Sequence, residues 1–184
     1  QLAFHLAGKQ FEFAHYVSHI RALIETSEEI KCVAQRYAFY QHFIFIGRNR
    51  NYPLAMEGAL KLKEIAYIHA EPYPGGELKH GPLALVCEDM PTFAICPMDE
   101  FHNKMLNNIQ EIKARRGKIV ALGTEGDTKL AALADDIFYL PKVDPLLYPL
   151  LESVVLHLFA YHIANIRECD IDKPRNLAKS VTVE

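Results

Sequence analysis

The sequence lacks the features that mark several large protein classes. It has four cysteines, at positions 32, 87, 96 and 169, and none of them belongs to a C-x-x-C pair. This spacing argues against a disulfide framework or a cysteine zinc site and favours free thiols in a reducing compartment. No apolar run reaches the roughly 18 residues that a membrane span needs, and no signal peptide is visible at the start. We therefore expect a cytoplasmic protein with no membrane partner.

The sequence also has no excess of positive charge. The formal net charge is -3, and no run of lysine and arginine interleaved with aromatic residues occurs, so nothing supports a nucleic-acid partner. With 184 residues, half of them hydrophobic, the chain suits one globular domain. It begins at Gln1, without a methionine, in a segment that is already helical in character. We expect it to come from a longer polypeptide.

Short apolar runs alternate with segments of helical periodicity along the chain. This order predicts an α/β fold in three layers, with a mainly parallel sheet flanked by helices. A capping-box pattern at Thr26 and Glu29 predicts that two helices between residues 10 and 41 meet near Ser27. The later apolar helix, residues 146–166, is expected to pack rather than to cross a membrane, and residues 169–184 form an irregular, mobile tail. The predicted strands are 42–46, 91–96, 118–122 and 137–140.

A glycine turn follows the first predicted strand. Gly47 leads through Arg48, Arg50 and Asn51 into a helix for which Asn51 is the predicted N-cap. A strand, a turn and a helix N-terminus form a natural anion site, to which the two arginines would add charge. The alternative is an ordinary loop with solvated arginines. In parallel sheets ligands bind at the carboxyl ends of the strands, where this turn is expected to lie.

Residues 56–86 hold the densest mixture of ionisable groups and glycines. On a helix, Glu57, Lys61 and Glu64 share one stripe, and Ala55, Ala59, Leu62 and Ala66 face the opposite way. Solvated salt bridges explain such a stripe. The functional alternative places Lys61 between two carboxylates, where it tunes which of them carries a proton for acid-base chemistry.

A loop after this helix contains Pro72, Pro74 and two glycines before it reaches His80. We expect it to bring His80 towards the acids and lysines of the helix, where an imidazole can shuttle protons. A lone loop histidine is more often structural, and a tail lysine such as Lys179 is more often solvated than nucleophilic. His15 and His19, four residues apart, lack a third metal ligand of suitable spacing. We predict no metal site and no cofactor.

Three segments carry a family resemblance: residues 56–64 (MEGALKLKE), 76–85 (GELKHGPLAL) and 174–184 (PRNLAKSVTVE). In this order they resemble the C-terminal sugar-isomerase (SIS) domain of glucosamine-6-phosphate synthases, the glutamine:fructose-6-phosphate aminotransferases. The likeness extends over essentially all 184 residues. It implies one SIS domain, the second of two in the isomerase region, which converts fructose 6-phosphate to glucosamine 6-phosphate in the synthesis of amino sugars.

The resemblance also implies roles for individual residues. Glu64 matches the base that moves a proton between C1 and C2, His80 the histidine that assists ring opening, and Lys179 the lysine that forms a Schiff base with the sugar. Lys61 and Glu57 match polar residues beside the base. The family forms homodimers in which the histidine loop reaches the partner subunit's active site.

Two parts of such an enzyme are missing from this sequence. The S-x-S-x-x-T loop that holds the sugar phosphate follows no strand here, and no glutaminase domain is present. We therefore expect the chain alone to bind fructose 6-phosphate poorly. The alternatives are a stand-alone SIS module that binds a phosphosugar through Arg48 and Arg50, as a regulator or a simple isomerase, and a purely structural dimerisation domain.

Overall fold

The computed structural model describes the backbone of residues 13–177 and the side chains of residues 16–177. Five parallel strands form one sheet in the order β2-β1-β3-β4-β5. The order places β1 in the interior of the sheet, as its continuous apolar sequence predicts. The strands are β1 His42–Gly47, β2 His69–Pro74, β3 Thr92–Cys96, β4 Ile119–Thr124 and β5 Asp136–Leu140.

Helices follow or precede every strand. The α-helices of the described region are α1 Phe13–Glu25, α2 Ser27–Tyr37, α3 Tyr52–Ala66, α4 His102–Lys113, α5 Thr128–Ala131 and α6 Tyr148–Ile166. Three short 3₁₀ helices, Asn49–Asn51, Gly75–His80 and Pro82–Leu85, lie in the connections.

The alternation of side chains along the strands creates two cores. Phe43 and Phe45 of β1 pack with α2, α3 and α6 on one face of the sheet. Ile44 and Ile46 pack with α4 on the other face. Successive strand residues point to opposite faces, so a strand that is apolar throughout supplies both cores. The predicted three-layer α/β/α arrangement is thus confirmed.

The strand β2 was not predicted, because Pro72 and Pro74 indicate a loop. It pairs only with β1, at the edge of the sheet. Proline lacks a backbone N–H, which an edge strand tolerates on its unpaired side. The part of the chain predicted as one long loop is therefore a strand followed by a 3₁₀ helix.

Both predicted N-cap residues occupy the N-cap positions, but neither side chain makes the expected capping hydrogen bond. Thr26 occupies the N-cap of α2, but its hydroxyl donates to the carbonyl of Leu23 at 2.8 Å and forms no capping box. Asn51 stands before α3 without a capping side-chain bond. Its amide Nδ2 instead donates to Asp99 Oδ2 at 3.0 Å, because the start of α4 lies nearby.

The helix α6 packs against α3, α2 and α1. By length and composition it could cross a membrane, but half of its most apolar window is buried inside the domain. The predicted packing role agrees with these contacts. Beyond it, residues 169–177 form no helix or strand, as expected for a tail, yet they fold back to contact Tyr67 at the end of α3. All four cysteines are free thiols.

Candidate functional site

One partly exposed face of α3 carries the three charged residues that its periodicity predicts, Glu57, Lys61 and Glu64. Lys61 Nζ lies 2.6 Å from Glu64 Oε2 and 3.8 Å from Glu57 Oε1. The hydrogen bond to Glu64 raises the pKa of Lys61, and the nearby charge of Glu57 adds to the effect against the opposing influence of partial burial. The lysine is therefore a cation held between two carboxylates.

A histidine from a distant part of the chain joins this face. His157 of α6 lies with its Nε2 2.8 Å from Glu57 Oε1. Sequence reasoning missed it, since helical periodicity relates only residues a few positions apart, and α3 and α6 meet only through the fold. The four side chains form a row in which each contacts the next, and Glu64 is its last member, in the last turn of α3.

A cavity of about 490 Å³ lies beside that last turn. Its wall is formed by the end of α3, the start of β2 and the tail. The lining residues are Lys63, Glu64, Tyr67, Ile68, His69, Arg175, Asn176 and Leu177. Glu64 thus faces a space large enough for a small sugar phosphate.

Tyr67 joins the helix to the tail. It takes a left-handed backbone conformation, φ 54°, as the C-cap of α3, and its N–H donates to the carbonyl of Leu62. Its hydroxyl accepts the backbone N–H of Arg175 at 2.8 Å, and the Arg175 guanidinium lies 4.2 Å from the centre of the ring. This contact, which we call the Tyr67–Arg175 clasp, holds the tail against the cavity.

Lys179, the predicted imine-forming residue, lies outside the described residues. The described part of the tail ends at residue 177, and Leu177 is one of the residues that line the cavity beside Glu64. The predicted role of Lys179 stays a prediction.

His80 ends the 3₁₀ helix Gly75–His80, and 75% of its side chain is exposed. Its Nε2 lies 3.9 Å from Glu77 Oε2. Within residues 16–177, no hydrogen bond or ion pair connects His80 to Lys61 or Glu64.

The strand β2 explains why the expected convergence does not occur within one chain. Glu64 lines a cavity with His69, the first residue of β2, whereas His80 follows the other end of that strand. Leu78, in the same 3₁₀ helix as His80, is buried with α4 on one face of the sheet, whereas α3 packs on the other face. The two residues therefore lie on opposite faces of the sheet, and the expectation that the loop brings His80 to the helix face of the same chain is wrong.

The two arginines of the turn after β1 contact different groups. Arg48 Nε donates to Asn108 Oδ1 at 2.9 Å and borders a cavity of about 240 Å³ together with Lys79 and Lys104. Arg50 pairs with Glu100. They do not form one pair of anion ligands around the turn, and anion binding by either of them stays a prediction.

Buried polar residues also gather at the carboxyl edge of the sheet. Glu152 of α6 is fully buried, and neither of its carboxylate oxygens has a hydrogen-bond partner; the same is true of Asn51 Oδ1. Burial raises the pKa of Glu152 to about 8, helped by the charge of Asp99 and opposed by Arg50. Glu152 is therefore a neutral acid at pH 7.

Metal ligands do not cluster in the described part of the chain, where no three His, Cys, Asp or Glu side chains could hold one ion. The side chain of His15, half of the His15–His19 pair, lies outside that part.

Comparison with known proteins identifies the fold and close relatives. Residues 40–167 match the family model described as SIS domain. The chain is 44% identical over 173 residues to a glutamine–fructose-6-phosphate aminotransferase (isomerizing) of Chlorobaculum tepidum, which covers 94% of this chain and 28% of that protein. The chain thus spans little more than a quarter of the length of this relative.

Solved structures agree with this match. The C-terminal domain of glucosamine-fructose-6-phosphate aminotransferase from Francisella tularensis superposes with a TM-score of 0.79 at 40% identity, over 88% of this chain and 46% of that one. A glucosamine-6-phosphate deaminase from Thermotoga maritima superposes with a TM-score of 0.67 at 22% identity, over 99% of this chain and 53% of that one. The second likeness concerns the fold alone.

Proposed function

The chain belongs to the SIS domain family, and we propose that it is the second, C-terminal SIS half of a glutamine:fructose-6-phosphate aminotransferase. The whole enzyme would convert fructose 6-phosphate, with ammonia from glutamine, to glucosamine 6-phosphate in the cytoplasm. Residues 1–184 would form one domain, with 169–184 as its tail. The first SIS domain and the glutaminase domain would be its partners within the same polypeptide.

The observation that carries this proposal is the position of Glu64. Its carboxylate accepts a hydrogen bond from Lys61 at 2.6 Å and lines a cavity of about 490 Å³. A base that moves a proton between adjacent carbons must be both oriented and within reach of a small substrate. Lys61 orients the carboxylate, Glu57 holds Lys61 from the other side and is itself bonded by His157, and the cavity supplies the space.

The tail supports the role of Lys179 in an imine. Leu177 lines the cavity that contains Glu64, and Lys179 follows two residues later, a distance of at most about 7 Å along an extended chain. Condensation of its amine with the C2 carbonyl releases water and forms an imine, which acidifies the C1 proton that Glu64 then accepts.

His80 would act in the active site of a second copy. It is exposed, and its 3₁₀ helix packs with α4 on the face of the sheet opposite α3, which carries Glu64. An imidazole so placed cannot assist ring opening of a sugar bound beside Glu64 of its own chain, whereas a homodimer can bring the two together. Glu64 and Lys179 would then belong to one subunit and His80 to the other.

Complementation between inactive variants tests this division. We expect Glu64→Gln and His80→Ala each to abolish formation of glucosamine 6-phosphate in the longest natural polypeptide that carries this chain. When the two variants are unfolded together and refolded as a mixture, about half of the dimers are mixed, and each mixed dimer has one site with both native residues. About a quarter of the native activity should return. No recovery, with mixed dimers present, would place both residues in one subunit.

The isolated chain provides a second test. We expect it to turn over fructose 6-phosphate poorly with ammonia, because the loop that binds the phosphate belongs to the first SIS domain in this family. Rates equal to those of a full-length enzyme would contradict this. Calorimetric titration with fructose and glucosamine 6-phosphates addresses the stand-alone module, which requires tight binding that Arg48→Ala and Arg50→Ala weaken. Full activity in Glu64→Gln would instead indicate a purely structural domain.

A further inference from the structure

The 3₁₀ helix that carries His80 is attached to α4 by a chain of four side chains. Arg48, Asn108, Glu111 and Lys79 contact one another in this order, and we call them the brace. Arg48 Nε donates to Asn108 Oδ1 at 2.9 Å, Asn108 Nδ2 donates to Glu111 Oε2 at 3.4 Å, and Lys79 Nζ lies 2.9 Å from Glu111 Oε1. The brace therefore begins at the turn after β1 and ends next to His80.

The first half of the brace packs closely on the backbone of the 3₁₀ helix. A Cβ on Gly75 would lie 2.8 Å from Asn108 Oδ1 and 3.3 Å from Arg48 Cγ, too close for any side chain. The Arg48 guanidinium lies over Gly76, where a Cβ would meet its nitrogens at 3.6 and 3.7 Å. Asn108 is 95% buried and has both ends of its amide engaged, so its position is fixed.

Apolar packing fixes the middle of the same 3₁₀ helix. Leu78 is fully buried in the core beneath α4, with Met105 and Ile109. Contacts at Gly75, Gly76, Leu78 and Lys79 leave little freedom before His80, whose own side chain is exposed. An exposed imidazole on a backbone held at four nearby positions is suited to contact a partner in a fixed position.

We propose that the brace sets the position of His80, which makes Arg48, Asn108 and Glu111 positioning residues for the reaction. The inference rests on the proposed function for the role of His80 in the reaction. It gives Arg48 a task that needs the planar guanidinium: Nε bonds Asn108 while the rest of the group covers Gly76. A lysine carries the same charge and cannot do both.

Hydrogen exchange of the 184-residue chain tests the brace without reference to activity. We expect Arg48→Lys to accelerate exchange of the amides in residues 75–80 about tenfold or more, while those of β3 and β4 remain protected. Arg50→Lys is the matched control from the same turn, because Arg50 pairs with Glu100 and not with the 3₁₀ helix. Unchanged exchange in residues 75–80 of Arg48→Lys would overturn the proposal.

Kinetics tests the consequence in the longest natural polypeptide that carries this chain. We expect Arg48→Lys and Lys79→Met to lower kcat about tenfold with little change in KM, because the substrate still binds beside Glu64 while His80 is misplaced. Lys79→Arg, which can keep the ion pair with Glu111, should restore most of the loss. Arg116→Lys, on an exposed residue, is the control.

The His80→Ala variant separates the two proposals. If it is inactive but Arg48→Lys keeps its native kcat, the brace does not position His80 and the inference is wrong. If it is fully active, the role of His80 in the proposed function fails, while the effect of the brace on residues 75–80 is still decided by hydrogen exchange.

Discussion

Replacing Glu152 by glutamine should stabilise the protein, and the gain should grow with pH. Glu152 is fully buried, and its carboxylate oxygens have no hydrogen-bond partner. Its pKa is raised from 4.5 to about 8, by burial first and by the charge of Asp99 second, against the influence of Arg50. The native state therefore keeps the proton over a range of pH in which the unfolded chain has lost it.

The size of the effect follows from proton linkage. Between pH 4.5 and 8 the native state binds more protons at this residue, so the free energy of unfolding falls as pH rises and levels off above the native pKa. Each pH unit costs about 1.4 kcal/mol, which gives a loss of about 3 kcal/mol at pH 7. A glutamine has the size of a neutral glutamic acid and does not ionise, so Glu152→Gln should avoid the loss.

Urea denaturation of both proteins at several pH values provides the measurement. The free energies of unfolding should differ by less than about 1 kcal/mol at pH 5 and by about 3 kcal/mol at pH 7, with the variant the more stable. Glu88→Gln, an exposed site, is the control and should show no such divergence. If the curves of native protein and Glu152→Gln stay parallel from pH 5 to 8, the carboxyl is not a buried neutral acid and the reasoning is refuted.

Three further predictions concern other contacts. Tyr67→Phe removes the acceptor of the Arg175 N–H but keeps the ring. Proteolysis within the tail should therefore become several times faster, while thermal stability changes little. An unchanged rate of proteolysis would mean that the clasp does not hold the tail. Gly75→Ala should lower the free energy of unfolding in urea by about 1–3 kcal/mol, because the added methyl group overpacks the site. Gly76→Ala, where a Cβ has room, should be near neutral. Equal effects of the two substitutions would contradict this prediction. Asp127→Asn weakens the contact with His102 Nε2, but the asparagine can still cap α5. We therefore expect the free energy of unfolding in urea to fall by about 1–2 kcal/mol. An unchanged free energy would mean that the pair contributes nothing.

Much of the fold could be predicted because its determinants are local. Residues 42–46 are apolar without interruption, as a strand covered on both faces must be. The spacing of Glu57, Lys61 and Glu64 placed them on one helix face, and the structure brings them within contact. The edge strand β2 was missed because its two prolines are a strong loop signal, and only its position at the edge makes them acceptable.

The remaining parts of the candidate site depend on contacts between residues about one hundred positions apart. His157 reaches Glu57, and the tail reaches Tyr67, only after α6 has packed against α3. No sequence pattern within either segment predicts which distant residue it contacts. The environment of Glu152 is equally hard to predict. Its apolar neighbours in the sequence predict that the helix is buried, but they do not predict that its carboxylate lacks a hydrogen-bond partner.

The position of the site itself departs from the usual rule for parallel sheets, which places ligands at the carboxyl ends of the strands. In this chain that edge holds polar contacts between elements, such as Asn51 with Asp99 and His102 with Asp127. Glu64 lies at the other edge, because α3 returns across the sheet and ends where β2 begins. In the proposed function, Glu64 and His80 are therefore two parts of a site on opposite faces of the sheet, and each part needs a neighbour to complete it. The proposed division accounts for an exposed histidine on a 3₁₀ helix held by side-chain contacts, rather than one inside a closed pocket.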